Sequence, residues 1–198
     1  MCKLITGSPS KTCKLDPIPT WLVKDHLDIF LPFITHVINN SLSSSIFPKS
    51  MGRALITPIL KKPSLDCNEF SNYRPVSNIN YMSKIIEKVV SNQLKEYLWQ
   101  NNLIEMYQSA YVSNRSTETA LLKVQSDFLN AVDRQEVVFL VMLDLSAAFD
   151  TIDHAMLLQH LERNFGISGK ALQWIRIRIW RVGFIKFKLM VFYLTCTN

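Results

Sequence analysis

The sequence predicts an α+β chain, with a helical first part followed by the start of a sheet-based second part. Three observations carry this. Residues 82–97 place Met82, Ile85, Ile86, Val89, Leu94 and Tyr97 at i, i+3, i+4, i+7 spacing, which is the pattern of an amphipathic helix. Residues 137–143 (Val-Val-Phe-Leu-Val-Met-Leu) form a β-rich apolar run bounded by polar residues, which reads as a buried strand. The chain of 198 residues is 48% hydrophobic, enough to build one sizeable core or two small lobes.

The remaining elements follow in order. Pro9, Pro17 and Pro19 mark an extended lead-in. Thr20 can cap a helix from Trp21, carrying Leu22, Leu27, Phe30 and Leu31 on one side, and Pro32 is expected to break or restart it. A second helix with Phe33, Val37, Ile38 and Leu42 ends at the serines 43–45 and Pro48. Residues 53–60 read as a short strand that Pro58 confines to an edge or a bulge. Residues 61–78 are polar and turn-rich and read as a loop. A helix begins at Ser116, with Glu118 in its first turn and Leu121, Val124, Phe128 and Val132 on its apolar face. After the 137–143 run, Asp153 can cap a helix with Met156, Leu157, Leu158 and Leu161, closed by Gly166. Ser168 starts another, with Leu172 and Ile175 inward.

The totals narrow the function. Net charge is +6 and the isoelectric point about 9.2. That balance suits an acidic partner such as nucleic acid or an anionic membrane, or simply a mildly basic globular surface. Disorder, collagen and a disulfide scaffold do not fit the composition. Cys2, Cys13, Cys67 and Cys196 form no Cys-x-x-Cys pair and have no histidine at finger spacing, so no zinc site is expected. They read as free thiols of a reducing compartment, and no signal peptide is expected at Met1–Gly7. An intracellular location, nuclear or cytoplasmic, follows as an expectation. No apolar run reaches the ~20 residues of a membrane span. The closest approach, 182–194, is short and carries Lys186 and Lys188.

The chemistry centres on residues 139–150. Asp144 ends the apolar run, and a carboxylate there is costly unless it is paired or bound to metal. It can serve as an oxygen ligand of Mg²⁺, with the Leu145 carbonyl beside it, or it can cap a turn. A phosphatase that forms an aspartyl phosphate would have a second aspartate two positions on. Here that position is Ser146.

Residues 143–154 (Leu-Asp-Leu-Ser-Ala-Ala-Phe-Asp-Thr-Ile-Asp-His) resemble the first palm motif of non-LTR, LINE-like retrotransposon reverse transcriptases. Residues 55–62 and Asn72-Tyr73-Arg74-Pro75-Val76 resemble that family's finger segment. Residues 108–121 resemble the segment between fingers and palm, and Ser8 through Pro19 resemble the region upstream. The likeness covers about residues 3–176, in the family's order. It implies an incomplete right-hand polymerase fold: an upstream helical lead-in over 1–50, a fingers-like region over 51–135, a partial palm over 136–176 and a divergent basic, hydrophobic tail over 177–198.

The resemblance also implies roles. Asp144 would be the catalytic carboxylate and, with Leu145, a ligand of Mg²⁺. Lys61, Lys62 and Arg74 would hold a deoxynucleoside triphosphate, although a solvated basic loop accounts for the same residues. Phe149 would lie under the incoming sugar, or pack in the core. Asp150 would order the site by hydrogen bonding. RNA template, DNA primer and nucleotide are the implied partners.

The departures from the family are informative. No aspartate follows Asp153, and the only later acid is Glu162. The carboxylates that should come from a later palm hairpin, and the Gln-Gly motif before it, are missing from these residues. The chain is therefore expected to be inactive alone, either as a catalytically incomplete polymerase fragment or as a non-catalytic nucleic-acid-binding remnant. Val112 stands where relatives usually carry a basic residue, which would weaken a backbone or template contact. The tail from Arg176 is expected to be the ending of a decayed element, or else a cationic membrane-surface segment.

Overall fold

The computed structural model describes residues 1–143 and 152–182. Its helices are α1 (Cys2–Thr6), α2 (Thr20–Asp25), α3 (Leu27–Ser44), α4 (Tyr81–Gln100), α5 (Thr117–Asp133), α6 (His154–Arg163) and α7 (Gly169–Val182). The strands β1 (Ala54–Leu60) and β2 (Tyr73–Ile79) pair antiparallel. The mixed α and β composition is as the sequence predicts, and the sheet among the described residues has two strands.

Helix α4 is central. Asn80 caps it, its side chain accepting from the Ser83 amide at 2.8 Å. Of the expected stripe, Ile85, Ile86 and Val89 are buried, Met82 and Leu94 are half-buried and Tyr97 is exposed, while Leu98, outside the expected set, is also buried; each fully buried side chain contributes roughly 1.5–3 kcal/mol by its removal from water. Against α4 lie α1 and the turn at Lys49–Gly52, and α7 packs on α3, α6 and the same turn. Leu157, Leu158 and Leu161 of α6 and Leu172, Trp174, Ile175 and Ile179 of α7 complete the core. Both ends of α6 follow the sequence: Asp153 caps its start, accepting from the Ala155 and Met156 amides at 2.7 and 3.0 Å, and Gly166 adopts φ +67° just past its end.

Helix α7 runs through the expected palm–tail boundary at 176–177. Arg178 is buried beyond it, and its guanidinium makes an ion pair with Glu87 of α4. The guanidinium also lies 5.0 Å from the centre of the Phe47 ring, and Phe47 meets Trp174 edge-on at 5.6 Å. The Trp174 indole donates to Ser41 Oγ at 3.1 Å. Three helices are thus joined at one buried polar and aromatic knot.

Four expectations are corrected. The helical break falls at His26 rather than Pro32, which sits inside α3. Pro32 is close to the helix start, so its missing N–H removes only one early ladder bond. Residues 73–78, expected in a loop, belong to β2. Pro75 and the polar, turn-rich stretch before it hid the strand, and the register explains how the ribbon accommodates a proline in each strand. The Lys61 amide donates to the Asn72 carbonyl at 2.8 Å, continuing the ladder. Pairs alternate along an antiparallel ladder, so Pro58 and Pro75, which face each other, occupy a non-hydrogen-bonded pair where no amide is required.

The other two corrections concern burial. Helix α5 forms with the expected cap, in which Ser116 and Thr119 bond reciprocally at 3.3 and 2.8 Å, yet it buries none of its residues. Residues 137–143 form no strand, and Phe139 and Leu143 are 85% and 90% exposed. Apolar, β-branched residues favour an extended backbone, but a ladder also needs a partner. None of the described residues supplies one.

Candidate functional site

The β1–β2 ribbon carries the basic residues expected to hold phosphate. Pairing sets Arg74 opposite Ile59 and places Lys61 opposite Asn72, one step past the end of β1. Alternation along each strand then puts Lys61 and Arg74 on the same face as diagonal neighbours, roughly 7–8 Å apart at the backbone. Lys62, the next residue, leaves the ladder and enters the turn. All three are exposed.

The turn is held by its own hydrogen bonds. Asp66 accepts from the Asn68 amide at 2.9 Å, and its carbonyl accepts from the Asn72 side chain at 3.0 Å. The Tyr73 hydroxyl donates to the Cys67 carbonyl at 2.9 Å. Lys61 Nζ donates to the Ser71 carbonyl at 2.8 Å, which fixes that ammonium at the ribbon's end while leaving it open to solvent. The arrangement offers a guanidinium and an ammonium to one anionic group. A phosphate suits both, because arginine's fork matches its oxygens and lysine adds a point charge.

Asp144, Leu145, Phe149 and Asp150 lie outside the described residues. On one side of them the chain arrives as the exposed segment 137–143, and on the other it leaves through the Asp153 cap of α6. Amide hydrogen bonds from Met156 and Ala155 hold the Asp153 carboxyl below its ordinary pKa. Among the described residues, no group of three or more His, Cys, Asp or Glu side chains is placed to hold a metal.

Two features escaped the sequence reading. Arg115 anchors the loop before α5, its guanidinium donating to the carbonyls of Met106, at 2.6 Å, and of Gln108. Val112, noted as a departure at a basic position, is buried, so its side chain faces the core. The Arg178–Glu87 pair had a legible signal. Arg178 falls four residues after Trp174, on the apolar stripe that also holds Ile175 and Ile179.

Comparison with known proteins gives a consistent result. A family described as "Reverse transcriptase (RNA-dependent DNA polymerase)" matches residues 59–194, a span that runs from the end of β1 through β2 and includes Lys61, Arg74 and Asp144. The chain is 25% identical over 133 residues, 67% of its length, to a probable RNA-directed DNA polymerase from transposon BS of Drosophila melanogaster. It is 28% identical over 138 residues, 70% of its length, to the RNA-directed DNA polymerase from mobile element jockey of the same organism. A probable RNA-directed DNA polymerase from transposon X-element, also of Drosophila melanogaster, is 25% identical over 122 residues, 62% of the chain. The chain spans about 15% of the length of the curated relatives it matches.

Proposed function

The chain belongs to the reverse transcriptase (RNA-dependent DNA polymerase) family, and from that premise we propose that it supplies the nucleotide-gripping fingers and the first catalytic carboxylate of a LINE-like retrotransposon's RNA-directed DNA polymerase. The single observation that carries this is the extent of the family match, which spans Lys61, Arg74 and Asp144 together. Lys61 and Arg74 on one ribbon face would bind the triphosphate of the incoming nucleotide, with Lys62 at the turn adding charge. Asp144 and the Leu145 carbonyl are hard oxygen donors of the kind magnesium takes. Bound there, the metal would activate the primer 3′-oxygen and stabilise the leaving pyrophosphate. Phe149 would restrict the sugar pocket and Asp150 would order the site by hydrogen bonding. Template RNA and DNA primer are the partners of this reading.

These residues hold no aspartate after Asp153. By itself, therefore, the 198-residue chain has one of the carboxylates that a two-metal site needs. Enzymes gain on the order of 10⁶-fold or more over the uncatalysed reaction, and most of that gain here would depend on the complete metal site.

The test is primer extension on an RNA template with Mg²⁺, run with the chain and with Asp144→Asn. No extension from either is expected. Extension by the chain that disappears in Asp144→Asn would overturn the proposed inactivity while supporting the role of Asp144. Equilibrium binding of a labelled deoxynucleoside triphosphate tests the ribbon separately. Lys61→Ala and Arg74→Ala should each weaken it, and unchanged binding in both would remove the ribbon from the site.

A further inference from the structure

The connection between β1 and β2 carries a hydroxyl that the turn's own bonds leave unused. Ser64 follows Lys61, Lys62 and Pro63 and precedes Leu65. The Leu65 amide donates to the Lys62 carbonyl at 3.2 Å, which closes residues 62–65 into a tight turn with Ser64 in third place. Pro63 suits the second place, because its ring presets the backbone angle needed there. Lys62, Pro63 and Ser64 are exposed. Among the described residues the Ser64 hydroxyl has no hydrogen-bond partner. Other serines are engaged: Ser41 Oγ donates to the Ile46 carbonyl, Ser83 Oγ donates to the Met51 carbonyl, and Ser116 Oγ accepts from the Thr119 amide.

Charge also sets Ser64 apart. No other serine or threonine of the chain has basic residues both two and three positions before it. Protein kinases that choose basic substrates read those positions with their own carboxylates, and such charge patterns separate one kinase's substrates from another's. The hydroxyl must also sit at the surface, on backbone that can be drawn into the kinase. A tight turn lying outside the ladder meets both needs. The nearest acid, Asp66, is occupied by Asn68, accepting from its amide at 2.9 Å and from its side chain at 3.1 Å.

We propose that Ser64 is a phosphorylation site for a basic-directed serine/threonine kinase, and that its phosphate switches off the ribbon's grip on nucleotide. In the transfer, Ser64 Oγ attacks the γ-phosphorus of ATP. The Oγ–P bond forms and the bond from that phosphorus to the β–γ bridging oxygen breaks. ADP leaves with the electron pair, and the hydroxyl proton passes to a base of the kinase. The phosphoserine carries about −1.5 to −2 charge and three acceptor oxygens. Ser64 is three residues from Lys61, at most ~11 Å at full extension, and the turn shortens that span. Lys61 and Lys62 then meet a phosphate of the chain's own, and a triphosphate arriving on the face shared with Arg74 is repelled. The switch rests on the ribbon's proposed role in nucleotide binding, whereas the modification itself does not.

The experiment incubates the full 198-residue chain with ATP, Mg²⁺ and the catalytic subunit of cyclic-AMP-dependent protein kinase as the basic-directed probe. Tandem mass spectrometry locates the phosphate, and binding of labelled deoxythymidine triphosphate is measured before and after. Phosphate is expected at Ser64, with nucleotide affinity lowered about tenfold by the added like charge and restored by phosphatase. Ser64→Ala should bind nucleotide as the parent does and lose both the phosphate and its effect. Lys61→Gln with Lys62→Gln should slow incorporation at Ser64, a readout separate from nucleotide binding, and incorporation at the parent rate would contradict the basic recognition. No phosphate at Ser64 overturns the proposal. So does a phosphate that leaves affinity unchanged while Lys61→Ala and Arg74→Ala lower it, in which case the ribbon stands without the switch. Affinity indifferent to the phosphate and to both ribbon variants removes the ribbon reading, and the switch with it.

Discussion

Cutting the ion pair between α4 and α7 should destabilise the chain more than any surface change. Arg178 is only 2% exposed at its side chain and Glu87 12%. Breaking such a buried pair leaves a charge without compensation and costs about 3–5 kcal/mol. Glu87→Gln strands the deeper partner. Arg178 Nε already has no hydrogen-bond partner, so this variant belongs at the upper end of that range. Arg178→Met keeps the aliphatic bulk and leaves Glu87 with some access to water, which places it near 3 kcal/mol. Urea unfolding followed by tryptophan fluorescence reads the difference directly. With an m-value of about 2 kcal/mol/M, a loss of about 3 kcal/mol moves the midpoint down by roughly 1.5 M. The double variant Glu87→Leu, Arg178→Met replaces the pair with apolar groups and should recover most or all of that loss. If both single variants stay within about 0.5 kcal/mol of the parent, the range of an ordinary surface substitution, the pair is not buried as described.

Three further outcomes are expected. Gly166→Ala puts a side chain at φ +67° and brings its Cβ to 3.2 Å from the Tyr97 hydroxyl. It should cost roughly 1–2 kcal/mol and lower the melting temperature by several degrees, and an unchanged melting curve would contradict the strained cap. Ser116→Ala removes one half of the reciprocal cap of α5, worth about 1 kcal/mol. Because α5 buries nothing, faster amide hydrogen exchange within the helix should report the loss while the global melting temperature barely moves. The Asp153 carboxyl is held below its ordinary pKa by two amide hydrogen bonds. Its contribution is therefore present above the unfolded value of about 4 and is lost as pH falls through the folded value. Protection of the α6 amides should decline on acidification, and Asp153→Asn, which keeps the cap's acceptor, should flatten that decline.

Much of the helical architecture could be read from the sequence because its signals are local. The α4 stripe, the Ser116 and Asp153 caps and the left-handed Gly166 each depend on residues within a few positions of one another. The misreadings share a different cause, since each depended on distant partners. Residues 73–78 looked like a loop because Pro75 argues against a strand, and only the proline opposite resolves that. Residues 137–143 have the composition of a buried strand, but burial belongs to the neighbours, and none of the described residues provides them. Pro32 looked like a break because its position within the helix could not be known before the start at Leu27 was fixed. For the candidate site, charge and motif located Lys61 and Arg74, but only the register shows that they share a face. The contact between Ser8 and Tyr81 joins residues more than seventy positions apart, a distance no local pattern spans.

The facing prolines also guard the ribbon against misalignment. If the two strands slipped by one residue, either Pro58 or Pro75 would move into a position that needs an amide to complete the ladder. Neither has one, so the shifted pairing would forfeit a bond worth about 1 kcal/mol. The same slip would turn Lys61 and Arg74 to opposite sides of the ribbon. Two residues that usually disrupt sheets thus act as a key that admits a single alignment, the one in which both cations can reach the same anion.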